Sequence, residues 1–148
     1  MIHIFNLNPG PFHLIKNHLK DVEMRTNDER RKRVSVGDYI IFKNTKETAY
    51  LLVKVLKKCA FKDFFELYNH YAKNRIGYLD NETADPHDMY QYYSEELIQK
   101  YGALAIEIAL IEDIKIASID EQNQEISIFT KQDNKIEKLS FEELEKHL

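Results

Sequence analysis

The chain has few of the residues that cross-link small proteins and lacks the long apolar runs that span membranes. It has one cysteine, four glycines, three prolines and no tryptophan in 148 residues. The single cysteine, Cys59, excludes an intrachain disulfide and is typical of a reducing compartment. The longest apolar run, from Ala103 to Ile111, is far shorter than the ~20 residues that span a bilayer. The first residues lack the basic segment of a signal peptide. We therefore expect a soluble, cytoplasmic protein that does not contact membranes.

The motifs of common catalytic and cofactor sites are also absent. The sequence has no glycine-rich phosphate loop, no nucleophile elbow and no paired cysteines for zinc. Its six histidines are scattered, and none lies at a metal-ligand spacing from a carboxylate. We expect neither a cofactor nor a bound metal. The length fits one domain with a short appendage at most.

Charge is divided unevenly along the chain. Residues 1–75 contain 15 Lys and Arg against 8 Asp and Glu, a balance of +7, and residues 76–148 contain 6 against 17, a balance of −11. A basic half beside an acidic half is typical of a protein with a face for polyanions. Alternatively, the two halves fold against each other and their charges partly cancel.

Hydrophobic periodicity predicts a mixed α+β domain. Alternation predicts strands at residues 3–7, 21–26, 39–42, 50–56 and 103–110. Helical spacing predicts helices at residues 12–19, along the aromatic stripe of residues 61–71, and from Ser94 to Gly102. Residues 27–33 and 73–86 are predicted to be loops. The tail predicts strands at residues 114–119, 125–129 and 135–139, with breaks at 120–123 and 131–134, before a helix opened by the capping box of Ser140 and Glu143.

One polar stretch carries the candidate site. Glu23 and Arg25 alternate on one face of the second predicted strand, which places a carboxylate beside a guanidinium. Arginine grips phosphates with two parallel hydrogen bonds, and glutamate accepts protons or base amino groups. Lys20 needs a bend or bulge at the strand entry to join them. The remaining candidates for binding ligand or RNA follow on the charged segment: Asn27, Arg30, Arg31 and Arg33. Alternatively, Glu23 and Arg25 form an ion-pair ladder on an exposed sheet face, followed by a solvated loop.

Residues 16–42 resemble the signature of the ASCH family. The family pattern is a helix end, a Gly-x-Lys-x-x-Glu-x-Arg strand, a charged loop and an apolar-Gly-Asp-apolar strand. Lys20, Glu23 and Arg25 fall on its Lys, Glu and Arg, and residues 36–42 fall on its second part. The aromatic helix and residues 101–108 are also similar to the family, so the resemblance covers about residues 1–111. His18 stands where the family usually has glycine.

The resemblance implies an α+β fold, a PUA-like mixed β-barrel flanked by short helices. It implies an ASCH domain at residues 1–111, on which we expect residues 112–148 to dock as a β-hairpin and helix. It also implies that Lys20, Glu23 and Arg25 line a basic cleft that binds RNA or a nucleotide-like molecule. Some members are small hydrolases, including acetylcytidine amidohydrolases, so Lys20 and Glu23 are the catalytic candidates if the chain is an enzyme. A third possibility is an adaptor whose acidic half binds a protein. The oligomeric state is left open.

Overall fold

The computed structural model describes residues 1–130 and 134–148 and contains a five-stranded sheet, a three-stranded sheet and short helices. The first sheet has the strand order β1-β3-β4-β5-β2. Its strands are β1 (Ile2–Leu7), β2 (Val22–Thr26), β3 (Tyr39–Asn44), β4 (Tyr50–Phe61) and β5 (Ala103–Ile111). Strand β1 runs parallel to β3, and the other neighbours are antiparallel. The sheet is therefore mixed, as the family resemblance implies.

Alternation along β5 places apolar side chains on both faces of the first sheet. Leu104 and Ile106 join one core cluster with residues of β1, β3 and β4, including Phe5. Ala103 and Ala105 point the other way, into a second cluster that contains residues of the aromatic helix. Because both faces are covered, β5 is a central buried strand.

The first sheet curls into a half-closed barrel. Strands β1 and β2 are its two edges, and they do not pair with each other in the described strand ladders. Two arginines instead donate to carbonyl groups along β1: Arg25 Nη2 lies 2.8 Å from the Asn6 oxygen, and Arg30 Nη2 lies 2.6 Å from the Ile4 oxygen. These charged donors satisfy part of the free edge that an open sheet exposes. The predicted mixed β-barrel flanked by short helices is confirmed, with this gap between its edges.

The helices of the described residues are short, and before all but the first of them a side chain accepts a hydrogen bond from the backbone of the first turn. They are α1 (Pro9–Lys16), α2 (Glu29–Lys32), α3 (Phe64–His70), a 3₁₀ helix (Pro86–Gln91), α4 (Glu95–Tyr101) and α5 (Phe141–His147). The prediction of a loop across residues 27–33 is wrong, because the Asp28 side chain accepts from the backbone nitrogen of Arg31 at 3.0 Å and starts α2. The 3₁₀ helix was not predicted, although Asp85 followed by Pro86 is a start signal. No helix of the described residues is both long and apolar enough to cross a membrane.

The tail forms the second sheet and the last helix. Its strands are β6 (Lys115–Asp120), β7 (Glu125–Phe129) and β8 (Ile136–Ser140), and Ser140 and Glu143 form the predicted capping box of α5. The break predicted at residues 131–134 falls largely on residues 131–133, which lie outside the described part. Buried residues of β6, β7, β8 and α5 share one cluster with Ile41 and Leu52 of the first sheet. The division of the chain into domains at residue 111 stays a prediction.

Candidate functional site

A cavity of about 330 Å³ lies between the two edges of the half-barrel. One wall comes from β1 and the turn after it, and includes Asn6 and Asn8. The floor comes from the region of β2, and the opposite wall comes from α3 and from residues 76–93. The edges of an incomplete barrel thus provide the opening, and an irregular segment covers it.

Lys20, Glu23 and Arg25 meet in this cavity. Lys20 Nζ lies 3.0 Å from Glu23 Oε1, and Arg25 Nη2 lies 3.0 Å from Glu23 Oε2. The side chains of Lys20 and Glu23 are only 6% and 4% exposed. The alternative of an exposed ion-pair ladder therefore does not fit, since all three charges are removed from water.

Backbone geometry before β2 brings Lys20 to the same side as Glu23. Strand β2 begins at Val22, so Lys20 precedes the regular alternation. His18 has a φ of +60°, a left-handed conformation that turns the chain after α1. Glycine adopts this conformation without steric cost, which explains why a glycine suits the same position of the family signature. The bend that the sequence required for Lys20 is present.

Glu23 is held as a carboxylate with its acceptor sites filled. Burial works to raise its pKa, but the charges of Lys20 and Arg25 and their hydrogen bonds outweigh burial and lower the pKa to about 2. Oε1 accepts from Lys20 Nζ and from the Met24 backbone nitrogen, and Oε2 accepts from Nε and Nη2 of Arg25. Each oxygen thus has two donors, which is the full capacity of a carboxylate oxygen. Glu23 thus holds Lys20 and Arg25 in place.

Arg25 connects the cavity to the arginines of α2. The guanidinium carbons of Arg25, Arg30 and Arg31 lie 5.4, 5.1 and 5.2 Å from the centroid of the buried Phe5 ring. At these distances the ring face attracts each cation and gathers the three into one cluster. The phenyl group thus offsets some of the repulsion among them.

Four of the predicted site residues do not line the cavity: Asn27, Arg30, Arg31 and Arg33. Arg31 Nη1 pairs with Asp28 Oδ2 at 2.8 Å, and the backbone nitrogen of Asn27 donates to the Gly102 oxygen. Arg33 is exposed at the end of α2. The structure therefore gathers three predicted residues in the cavity and leaves the other four on and around α2, beside Arg25.

Sequence reasoning missed the tyrosine wall of the cavity. Tyr68, part of the predicted aromatic stripe, packs against the second core cluster, and its hydroxyl oxygen also lies 2.8 Å from that of Tyr78, so that both residues line the cavity. Tyr92 and Tyr93 line it further toward the rim, and Tyr92 is 52% exposed. The density of tyrosines in residues 90–93 was the available signal, but it has no helical or strand period that would assign it a face.

Comparison with known proteins identifies related chains. The family model described as ASCH domain matches residues 6–112, which confirms the resemblance seen in the sequence. The crystal structure of the hypothetical protein PH0355 is 30% identical, with a TM-score of 0.65, and the match covers 75% of this chain and 100% of that one. The solution structure of PF0455 from Pyrococcus furiosus is 30% identical, with a TM-score of 0.59 and coverage of 76% and 99%. No curated protein matches the chain.

A third structure is similar in fold alone. It is a mutant of ZmASCH from Zymomonas mobilis, 16% identical, with a TM-score of 0.52 and coverage of 99% of this chain and 93% of that one. The matches to PH0355 and PF0455 leave about a quarter of this chain without a counterpart, whereas the match to ZmASCH includes nearly all of it. A solved structure of similar fold thus spans nearly all of this chain.

Proposed function

This chain is a member of the ASCH family, and on that premise we propose that it binds RNA by holding one nucleotide in the cavity beside Lys20 and Arg25. The observation that carries the proposal is the cavity itself, which sets two buried cations against a wall of tyrosines. Its volume of about 330 Å³ lies within the range of small-molecule sites. A single nucleotide, free or within a strand, is a ligand of that scale.

The chemistry of the lining suits the parts of a nucleotide. Tyrosine rings stack on any nucleobase, because every base has a π-face. Nη1 is the Arg25 nitrogen that is not bonded to Glu23 or Asn6, and it can donate to a phosphate or a carbonyl edge, while Lys20 presents a point charge. Glu23 fixes both cations by ion pairs, so little conformational entropy has to be lost on binding.

The arginines of α2 extend this site along the bound RNA strand. Arg30 and Arg31 adjoin Arg25 around Phe5, and the exposed Arg33 follows at the end of α2. A nucleotide in the cavity places its neighbouring phosphates outside the mouth, where exposed cations would meet them. Phosphate contacts of this kind supply affinity without reading sequence.

A small hydrolase acting on a modified nucleoside or on RNA is the second candidate. The contact between Lys20 and Glu23 in the cavity favours it, since a lysine and a carboxylate side by side can hold a substrate and move a proton. The low pKa of Glu23 weighs against it, because a carboxylate with a pKa of about 2 is a poor proton acceptor at neutral pH. RNA binding is therefore favoured over hydrolysis. Incubation with N4-acetylcytidine and with single-stranded RNA, followed by chromatography of the products, would detect turnover and reverse this order.

Replacing one tyrosine at the cavity rim tests the proposal. Tyr92→Ala removes an exposed ring from the cavity lining, and we expect it to weaken binding of a fluorescein-labelled single-stranded RNA by about 5- to 150-fold, the range for loss of one stacked base. The matched control is Tyr90→Ala, since Tyr90 is 41% exposed but does not line this cavity. Fluorescence polarisation at low salt measures both. Absence of wild-type binding to a pool of RNAs, or equal losses in the two variants, would contradict the proposal.

A further inference from the structure

Two tyrosines and an aspartate form a hydrogen-bonded chain on the cavity wall made by α3 and residues 76–93. The hydroxyl oxygens of Tyr68 and Tyr78 are 2.8 Å apart, and the Tyr78 oxygen is 2.8 Å from Asp88 Oδ2. The Tyr78 oxygen also lies 3.2 Å from the backbone carbonyl oxygen of Asp85. Tyr68, Tyr78 and Asp88 all line the cavity.

The direction of each hydrogen bond in this chain is fixed by the number of protons. A phenol has one proton, and an ionised carboxylate only accepts. Tyr78 therefore donates its proton toward Asp88, and the contact between the two phenols requires Tyr68 to donate to Tyr78. The proton of Tyr68 is thereby used, and its hydroxyl offers only lone pairs to a ligand. Burial raises the pKa of Tyr68 to about 12, so the phenol keeps its proton at neutral pH.

The floor of the cavity offers hydrogen-bond donors. Lys20 has three ammonium protons, and its one hydrogen-bonded partner among the described residues is Glu23. This floor lies close to the tyrosine wall, because a Cβ at Gly77, next to Tyr78, would lie 3.1 Å from Lys20 Cδ. A bound group between them meets a cationic donor at one side and a neutral acceptor at the other.

We propose that the cavity selects nucleobases whose edge pairs an exocyclic amino group with a ring acceptor, and discriminates against their keto counterparts. Adenine and cytosine have such an edge, whereas hypoxanthine and uracil reverse it, with a carbonyl in place of the amine and an N–H in place of the ring acceptor. The amine donates to Tyr68, and the ring nitrogen accepts from Lys20. This inference rests on the proposed function, because it takes the cavity to be a nucleotide site.

The test compares matched nucleotide pairs by isothermal titration. Adenosine monophosphate should bind more tightly than inosine monophosphate, and cytidine monophosphate more tightly than uridine monophosphate, each by at least about fivefold, the effect of one buried group left without a partner. Tyr78→Phe removes the oxygen that accepts the Tyr68 proton, so Tyr68 becomes free to donate to a ligand. The ratio of the affinities for the amino and keto nucleotides should then fall toward one in both pairs. Tyr90→Phe, on a ring outside the cavity, should leave both preferences unchanged.

The possible outcomes separate this inference from the proposed function. Equal binding of the amino and keto nucleotides to the wild type, or preferences that survive Tyr78→Phe, would overturn the selection while nucleotide binding stands. A preference for the keto nucleotides would overturn the assigned direction of the hydrogen bonds. If the wild type binds none of the four nucleotides and no RNA, the proposed function fails and this inference fails with it.

Discussion

Replacement of Glu23 by glutamine should destabilise the fold strongly at neutral pH. The change keeps the size of the side chain but removes the negative charge that lies 3.0 Å from both Lys20 Nζ and Arg25 Nη2. Two buried cations are then left beside a neutral amide. Breaking a buried ion pair in this way costs roughly 3–5 kcal/mol.

The pKa of Glu23 gives an independent magnitude and a pH dependence. It is about 2 in the folded chain, against an ordinary value of 4.5, so the interactions of the carboxylate contribute about 3 kcal/mol at pH 7. Because the folded pKa is the lower one, this contribution is complete above about pH 4.5 and is lost as the pH falls toward 2. About 40% of it remains at pH 3.

Urea denaturation of the wild type and of Glu23→Gln at pH 7 and pH 3 measures this effect. We expect the difference in the free energy of unfolding to fall by about 60% between the two pH values. The control is Glu137→Gln, an exposed carboxylate on β8, which should change stability by less than about 0.5 kcal/mol at either pH. A difference for Glu23→Gln that is below about 1 kcal/mol, or that does not change with pH, would refute the reasoning that the carboxylate is held ionised by the two cations.

Three further predictions concern parts of the chain outside the cluster of Lys20, Glu23 and Arg25. Arg33→Ala should reduce the slope of log affinity against log salt concentration for RNA binding by about one unit, as measured by fluorescence polarisation at several salt concentrations. Lys146→Ala on α5 should leave this slope unchanged. Equal slopes for the two variants would contradict a phosphate contact at Arg33. His18→Gly should be more stable than His18→Ala by about 1 kcal/mol in thermal denaturation, because alanine retains the cost of the φ of +60°; the opposite order would exclude strain at this position. Removal of residues 112–148 should lower the melting temperature and increase binding of a hydrophobic dye, because Leu52 loses its cover; an unchanged melting temperature would show that the tail contributes no stability.

Most of the fold was predictable from the sequence because its signals are local. Alternation identified β5, and Ser94 and Ser140 identified the starts of α4 and α5 through their capping side chains. Strand β4 extends to Phe61, five residues beyond its predicted end, because the register shift between Val55 and Lys57 interrupts the alternation. Pairing with β5 continues the strand past this irregularity, and a period-two pattern does not register such pairing.

The candidate site was predictable only in part. The spacing of Glu23 and Arg25 placed them on one face of β2, and the resemblance added Lys20. Their burial was not predictable, because it depends on residues 76–93, which fold over the cavity without a regular period. The exposed ladder was a reasonable alternative for the strand taken alone.

The sequence by itself determined which side chains share a face and where helices begin, because these follow from the fixed geometry of strands and from caps within four residues. Tertiary structure alone decided that Lys20, Glu23 and Arg25 are buried together. It also decided that Arg30 and Arg31 gather with Arg25 around Phe5, and that Tyr78 links Tyr68 to Asp88. The physical reason is that burial, charge compensation and the direction of a hydrogen bond depend on groups brought together from distant parts of the chain.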